Sequence, residues 1–337
     1  HPDYASSLLQ LASIYKLQHR FRQAEPLYRQ AQEIYKASFG EKHPRYASAL
    51  NGLGSLYYFM GEYARAETLL QQALQLRKEL LGEEHSDYAA TLSNLANVYT
   101  ELGKFKQAEP LYRQAVAINK RVYGDKHAEY AGCLTRLAHA YDSMAHFQDA
   151  EDCYRQALAA YQQALGDKHP GYANGLNGLA SVLCSRGEYR QAEALYQQAA
   201  AIYKAALGEN HSDYAVTLSS LAGLYRTLGQ YQKAESLFRK AADIQRSVLG
   251  EKHPHYATLL CDLGLLYQVM GDFGQADKNL HAALAIHEQT LGRKNLGYAY
   301  CLNNLAMLAE DRGEYALAER LLRESNGIVK AIHGGEH

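Results

Sequence analysis

The sequence predicts an all-α fold, a right-handed superhelical α-solenoid of eight helix-turn-helix repeats, each 42 residues long. Three observations predict it. The segment His1-Pro2-Asp3-Tyr4-Ala5 returns at 42-residue steps without insertion, starting again at His43, His85, His127, His169, His211, His253 and Asn295. Fixed positions keep fixed residues in all eight copies: Tyr at position 4, Leu at 8 and 11, Ala at 24 and Gly at 40. Within each copy the apolar residues follow helical spacing, and no alternating strand pattern occurs. A period of this length marks repeats that bury their apolar faces by stacking on their neighbours.

Each element follows from the repeat. In the first helix, apolar positions 4, 5, 8, 11, 12 and 15 make one buried stripe. Pro2, Pro44, Pro170 and Pro254 open it where a missing N–H costs nothing. Asp3, Asp87, Glu129 and Asp213 follow at the positive end of the helix dipole. It stops near position 19, usually Gly (Gly61, Gly103, Gly187). The second helix carries an aromatic at 21, Ala at 24 and usually 31, and ends at the position-40 Gly. Pro26 and Pro110 predict that its first regular turn begins no earlier than position 22 or 23, or bends there. Small residues at 12, 24 and 31 let the two backbones approach closely. The repeats 1–42, 43–84, 85–126, 127–168, 169–210, 211–252, 253–294 and 295–336 form a single domain, 1–337. The last is eroded: Ala309 replaces the position-15 Tyr, and Ser325-Asn326-Gly327 predicts a break in the second helix. It reads as a terminal cap. The first repeat shows no such erosion, so the chain is expected to be a fragment of a longer protein.

Thirty-five basic and thirty-six acidic residues leave a net charge of −1, without the basic field that nucleic acid or an anionic membrane requires. No apolar run approaches the ~20 residues of a membrane span. Cys133, Cys153, Cys184, Cys261 and Cys301 are odd in number and lack any Cys-x-x-Cys spacing. They read as small apolar fillers in a reducing compartment, which predicts a cytoplasmic location. The position-1 histidines lie a whole repeat apart, so they cap helices and do not converge on a metal. His139 and Cys184 lack an orienting group and an oxyanion site, and no phosphate loop or nucleophile elbow occurs. The sequence therefore predicts no enzyme, no metal and no cofactor.

The segment Leu95-Ala96, Tyr99, Gly103-Lys104-Phe105, Ala108, Tyr112, Ala115 and the run Leu249 to Pro254 narrow the fold. Together they resemble the tetratricopeptide domain of kinesin light chains and the kinesin-light-chain-like arrays of bacterial multidomain proteins. Tyr at position 4, where kinesin light chains usually carry an aliphatic, is closer to the bacterial arrays. The resemblance implies a protein-interaction scaffold. It also implies that the Asn pair before Leu-Ala lines a peptide groove, which matches Asn51, Asn94, Asn177, Asn303 and Asn304 here.

Helical phase places positions 6, 9, 10, 13 and 17 opposite the buried stripe, with 16 at its edge. Unlike the rest of the repeat, this face varies from copy to copy and favours Ser, Asn and Gly over the long charged residues of a merely solvated helix. The candidate groove residues are Asn51, Tyr58, Asn94, Asn97, Arg136, His139, Asn174, Asn177, Arg226 and Asn303. An extended peptide is expected to lie over Asn94, Asn97, Arg136, His139, Asn174 and Asn177, its backbone read by amides that both donate and accept. The competing expectation is a kinesin-light-chain-type cargo adaptor for tryptophan-acidic peptides. That ligand calls for clustered basic residues, whereas Lys16, Arg136 and Arg226 are spread over three repeats. End-to-end self-association is a further expectation, because the ends of a stack expose apolar faces.

Overall fold

Every repeat folds as a helical hairpin with a 16-residue first helix and a 19-residue second helix. The structure, a computed structural model, describes residues 1–18 and 20–333. They fall into two compact units, divided between Ala164 and Leu165. In the first unit the first helices are α1 (Pro2–Leu17), α3 (Pro44–Phe59), α5 (Ser86–Glu101) and α7 (Ala128–Ser143). They alternate with α2 (Phe21–Phe39), α4 (Tyr63–Leu81), α6 (Phe105–Tyr123) and α8 (Phe147–Leu165). In the second unit the first helices are α9 (Pro170–Ser185), α11 (Ser212–Thr227), α13 (Pro254–Val269) and α15 (Leu296–Asp311). Their partners are α10 (Tyr189–Leu207), α12 (Tyr231–Leu249), α14 (Phe273–Leu291) and α16 (Tyr315–His333). Among the described residues there is no strand.

Caps define the ends as the sequence requires. The position-1 histidines accept the N–H two residues on through Nδ1, for example His43 from Arg45 at 3.2 Å and His169 from Gly171 at 3.0 Å. Each is thus an N-cap that satisfies an otherwise orphaned donor. The position-40 glycines end the second helices with φ near +80° and an extended ψ, as in Gly40 at 80° and 175°. That region is essentially closed to residues with a Cβ, which explains why the position never varies. At position 19 Ala145 takes the place of glycine and still adopts φ 58°.

Two expectations about the second helices are corrected. α2 and α6 begin at position 21, earlier than expected, and continue through Pro26 and Pro110. Each proline sits in the second turn, where it forfeits one backbone hydrogen bond while the surrounding packing holds the helix. Likewise α16 passes unbroken through Ser325-Asn326-Gly327. Ser325 stands at position 31, where the fold asks for a small side chain, and its hydroxyl donates to the Ala299 carbonyl at 2.9 Å.

Helix contact within a hairpin rests on Ala12, Ala24 and Ala31 and their equivalents, which are fully buried. Position 12 also answers position 28. Where 28 is a flat ring, as in Tyr28 or Phe238, position 12 is Ala; opposite Leu70 and Leu280 it is Gly54 and Gly264, and only the last repeat sets Ala306 with Leu322. A methyl on Gly54 would meet Leu70 Cγ at 2.8 Å, and one on Gly264 would meet Leu280 Cγ at 2.6 Å. We predict that Gly54→Ala costs about 1 kcal/mol through overpacking, and that adding Leu70→Tyr recovers it. Denaturant unfolding of the two single variants and the double variant checks this; strictly additive losses would refute the pairing.

Position-15 tyrosines link successive repeats by a route the sequence reading missed. Their hydroxyls meet the position-25 glutamate of the preceding repeat: Tyr57 with Glu25 at 2.9 Å, Tyr225 with Glu193 at 2.7 Å, Tyr267 with Glu235 at 2.8 Å. These hydrogen bonds tie neighbouring repeats together at the edge of the core.

Candidate functional site

The variable face of the first helices is built differently in the two units. In the first, its polar groups are largely spent on one another. Asn94 Nδ2 donates to Asn51 Oδ1 at 3.0 Å, across α3 and α5. Asn97 Oδ1 accepts from the Tyr112 hydroxyl at 2.6 Å, as Ser13 pairs with Tyr28 at 2.9 Å. Position 13 thus anchors the hydroxyl of the core ring at position 28. The Tyr58 hydroxyl donates to Glu101 at 3.2 Å, and Tyr63 approaches the same carboxylate at 3.5 Å. Burial, reinforced by that carboxylate, holds both phenols far above their ordinary range. Lys16 lies against Ser55 at 3.0 Å, and burial lowers its ammonium pKa. Arg136 and His139 stay exposed on α7.

In the second unit the face keeps unspent capacity. Asn177 Oδ1 on α9, Gln268 Oε1 on α13 and Asn304 Nδ2 on α15 are buried atoms with no hydrogen-bond partner. Asn304 lies beside the Tyr300 hydroxyl, and its Nδ2 remains outside hydrogen-bond geometry. The other amide end of Gln268 donates to Asp311 at 2.6 Å. Asn174 and Asn303 are exposed and Arg226 is half-buried. Gln268 escaped the sequence reading because position 16 lies at the edge of the face; the signal was its register with Tyr58 and Arg226.

Asp262 on α13 is half-buried in this face. Burial raises its carboxyl to about 6, against the pull of the Arg226 guanidinium and a hydrogen bond from Ser219. An unfolded Asp titrates near 3.9, so between those values the folded unit holds the extra proton. Stability contributed by that proton is present at low pH and is lost as pH rises through about 6. We predict that the second unit melts higher at pH 5 than at pH 7.5, and that Asp262→Asn flattens this difference. An unchanged pH profile in the variant would contradict the assignment.

Two of the five cysteines are not fillers. Cys261 on α13 and Cys301 on α15 form a disulfide with Cα atoms 6.2 Å apart, both fully buried. They occupy positions 9 and 7 of adjacent repeats, which brings them together between neighbouring first helices. Cys133, Cys153 and Cys184 are free. Burial raises the Cys153 and Cys184 thiols, the wrong direction for a nucleophile. Among the described residues no three His, Cys, Asp or Glu gather to hold a metal ion, and no helix is long and apolar enough to cross a membrane. A hollow of about 690 Å³ lies away from this face, lined by Arg29 of α2, Tyr57 of α3 and Arg65 of α4.

Comparison with known proteins places this geometry. The tetratricopeptide repeat family matches residues 3–79, 47–121, 87–163, 147–205, 171–247, 213–278 and 256–328. Among solved structures, nearly identical TPR-like repeats of kinesin light chain type from Podosopora anserina are 26% identical. They cover 61% of this chain and 97% of theirs, with a TM-score of 0.51. BtubC (BKLC) from P. vanneervenii is 22% identical over 69% of this chain and 91% of its own, TM-score 0.52. The Rap conjugation gene regulator of plasmid pLS20, in complex with the Phr* peptide, shares the fold over 98% of this chain and 96% of its own. Its TM-score is 0.69 at 14% identity. No curated protein matches the chain. With the matches running from residue 3 to residue 328, the chain belongs to the tetratricopeptide repeat family.

Proposed function

We propose that the chain is a non-catalytic protein-interaction scaffold that holds an extended peptide along the variable face of its first helices. The observation that carries the reading is the unspent hydrogen-bond capacity of Asn177, Gln268 and Asn304. A buried polar group without a partner costs about 1–3 kcal/mol, and such groups are rare in folded chains. Two acceptors and one donor on a single variable face match an extended backbone, which offers N–H and C=O in turn. Asn174, Arg226 and Asn303 border them in the second unit. In the first unit Asn51, Tyr58, Asn94, Asn97, Arg136 and His139 present the equivalent face, with its amides already paired. The Rap regulator, a protein of the same fold, is bound to a peptide, which supports the ligand class. A bacterial setting belongs to the same reading, whereas the Cys261–Cys301 disulfide removes the reducing-compartment argument for a cytoplasmic location.

The cargo-adaptor reading for tryptophan-acidic peptides has less support. Its basic residues remain dispersed: Lys16 leans on Ser55, and Arg226 stands near Asp262.

The test is a peptide selected from a displayed random library on the intact chain, then titrated against Asn177→Ala, Gln268→Ala, Asn304→Ala and Arg136→Glu. Each alanine variant is expected to weaken binding by about 0.5–1.5 kcal/mol, with melting curves confirming that the fold persists. Parent-like affinity in all four, together with loss on changing the second helices, would defeat the reading. So would a library that yields no binder.

A further inference from the structure

Position 35, near the end of the second helix, forms a buried rung in each of the first seven repeats. The residues are Tyr35, Arg77, Asn119, Tyr161, Tyr203, Gln245 and His287, each less than a tenth exposed. The long ones reach the first helix of their own repeat. The Tyr35 hydroxyl meets Ser6 at 2.8 Å, and Arg77 reaches Ser48 at 3.2 Å and Thr91 at 2.7 Å. The Tyr161 hydroxyl would stand 3.4 Å from a Cβ on Gly132 and is hydrogen-bonded to Thr135. Asn119 is the shortest rung. Where its neighbours place a ring or a guanidinium, the structure has a polar cavity of about 230 Å³.

Ser93, Asn94, Asn119, Tyr123, Cys133 and Arg136 are among the residues lining that cavity. Ser93 holds the position in its repeat that Thr135 holds beside Tyr161. Two donors on the floor converge on a poor acceptor: Asn119 Nδ2 donates to Cys133 Sγ at 3.0 Å and Arg136 NH1 at 3.9 Å, and Ser93 Oγ pairs with the same sulfur at 3.5 Å, in either direction. Thiol sulfur accepts weakly, so an oxygen placed there would be better held by all three. A cavity of roughly 150 Å³ already admits benzene, so a six-membered ring fits.

We propose that this vacated rung is a binding pocket for a hydroxyphenyl group, the side chain of a tyrosine supplied by a bound peptide. The ring takes the space that Tyr35 and Tyr161 fill in their own repeats. Its hydroxyl meets Ser93 and Asn119, and the Arg136 guanidinium flanks it. Asn94 and Arg136 also lie on the variable face, so the pocket deepens the peptide reading by naming an anchor residue. Its test needs no peptide, and either can therefore fail alone.

The experiment uses the full chain and two probes, N-acetyl-tyrosinamide and N-acetyl-phenylalaninamide, followed by amide chemical shifts. The tyrosine probe is expected to shift signals from Ser93, Asn119 and Arg136 and to bind at least several-fold tighter than the phenylalanine probe. Ser93→Ala should bring the two probes close to parity. Asn119→Tyr should fill the rung from within, leave the melting temperature unchanged or higher, and abolish probe binding. Equal binding of both probes, no binding of either, or probe binding retained in Asn119→Tyr would overturn the proposal. An Asn119→Tyr chain that melts lower or does not fold would contradict the shape argument itself.

Discussion

Reducing the Cys261–Cys301 disulfide is expected to destabilise the second unit by about 2–4 kcal/mol. The bond closes a loop across 40 residues, from α13 to α15. Opening it frees the unfolded chain while leaving the two first helices joined by packing and by the Gln268–Asp311 hydrogen bond. Both sulfurs are fully buried, so in the folded protein they are shielded from thiols in solution, and the effect appears when reductant is present through unfolding and refolding. Cys261→Ser with Cys301→Ser should reproduce the loss without reductant. The direct check is alkylation of the unfolded, unreduced chain: three thiols should label, at Cys133, Cys153 and Cys184. Labelling of all five would remove the disulfide from the account.

Ala108→Leu is expected to cost about 1–3 kcal/mol by overpacking. Ala108 is fully buried at position 24, in the hairpin of α5 and α6. Leu95 and Tyr112 of the same hairpin are likewise buried, so the added three carbons meet a packed core. The damage should stay with adjacent repeats, since coupling in repeat arrays is mostly between neighbours. Amide exchange should therefore accelerate in α5 and α6 and remain near parent rates in α13 to α16. A melting curve indistinguishable from the parent would count against the hairpin packing.

The parts of this fold legible in the sequence are those the repeat states many times. The position-1 histidine cap, the alanines at 12, 24 and 31 and the glycine at 40 each answer a local demand that any one copy displays. Breaks read from a single residue fared worse. Pro26, Pro110 and Ser325-Asn326-Gly327 oppose helix by propensity, yet packing along a 19-residue amphipathic helix overrides them. Contacts between repeats were hidden for a different reason. Cys261 and Cys301 occupy non-equivalent positions, so no alignment of repeats pairs them. In the first seven repeats position 35 reads Tyr, Arg, Asn, Gln or His, a variety that conceals one shared place in the fold. The variable face was legible as a face, but its state was not. Helical phase puts Asn94 and Asn97 beside Asn177 in kind, and only side-chain geometry separates amides paired with Asn51 and Tyr112 from one with an unspent oxygen.

The most direct test of the account is hydrogen–deuterium exchange on the full chain, with and without a saturating library-selected peptide. Peptide held by the variable face should slow exchange in the first helices α9, α13 and α15, which carry Asn177, Gln268 and Asn304. The second helices α10, α12 and α14 should change little. Protection confined to the second helices, or to the hollow lined by Arg29, Tyr57 and Arg65, would contradict the claim that the first-helix face is the binding surface.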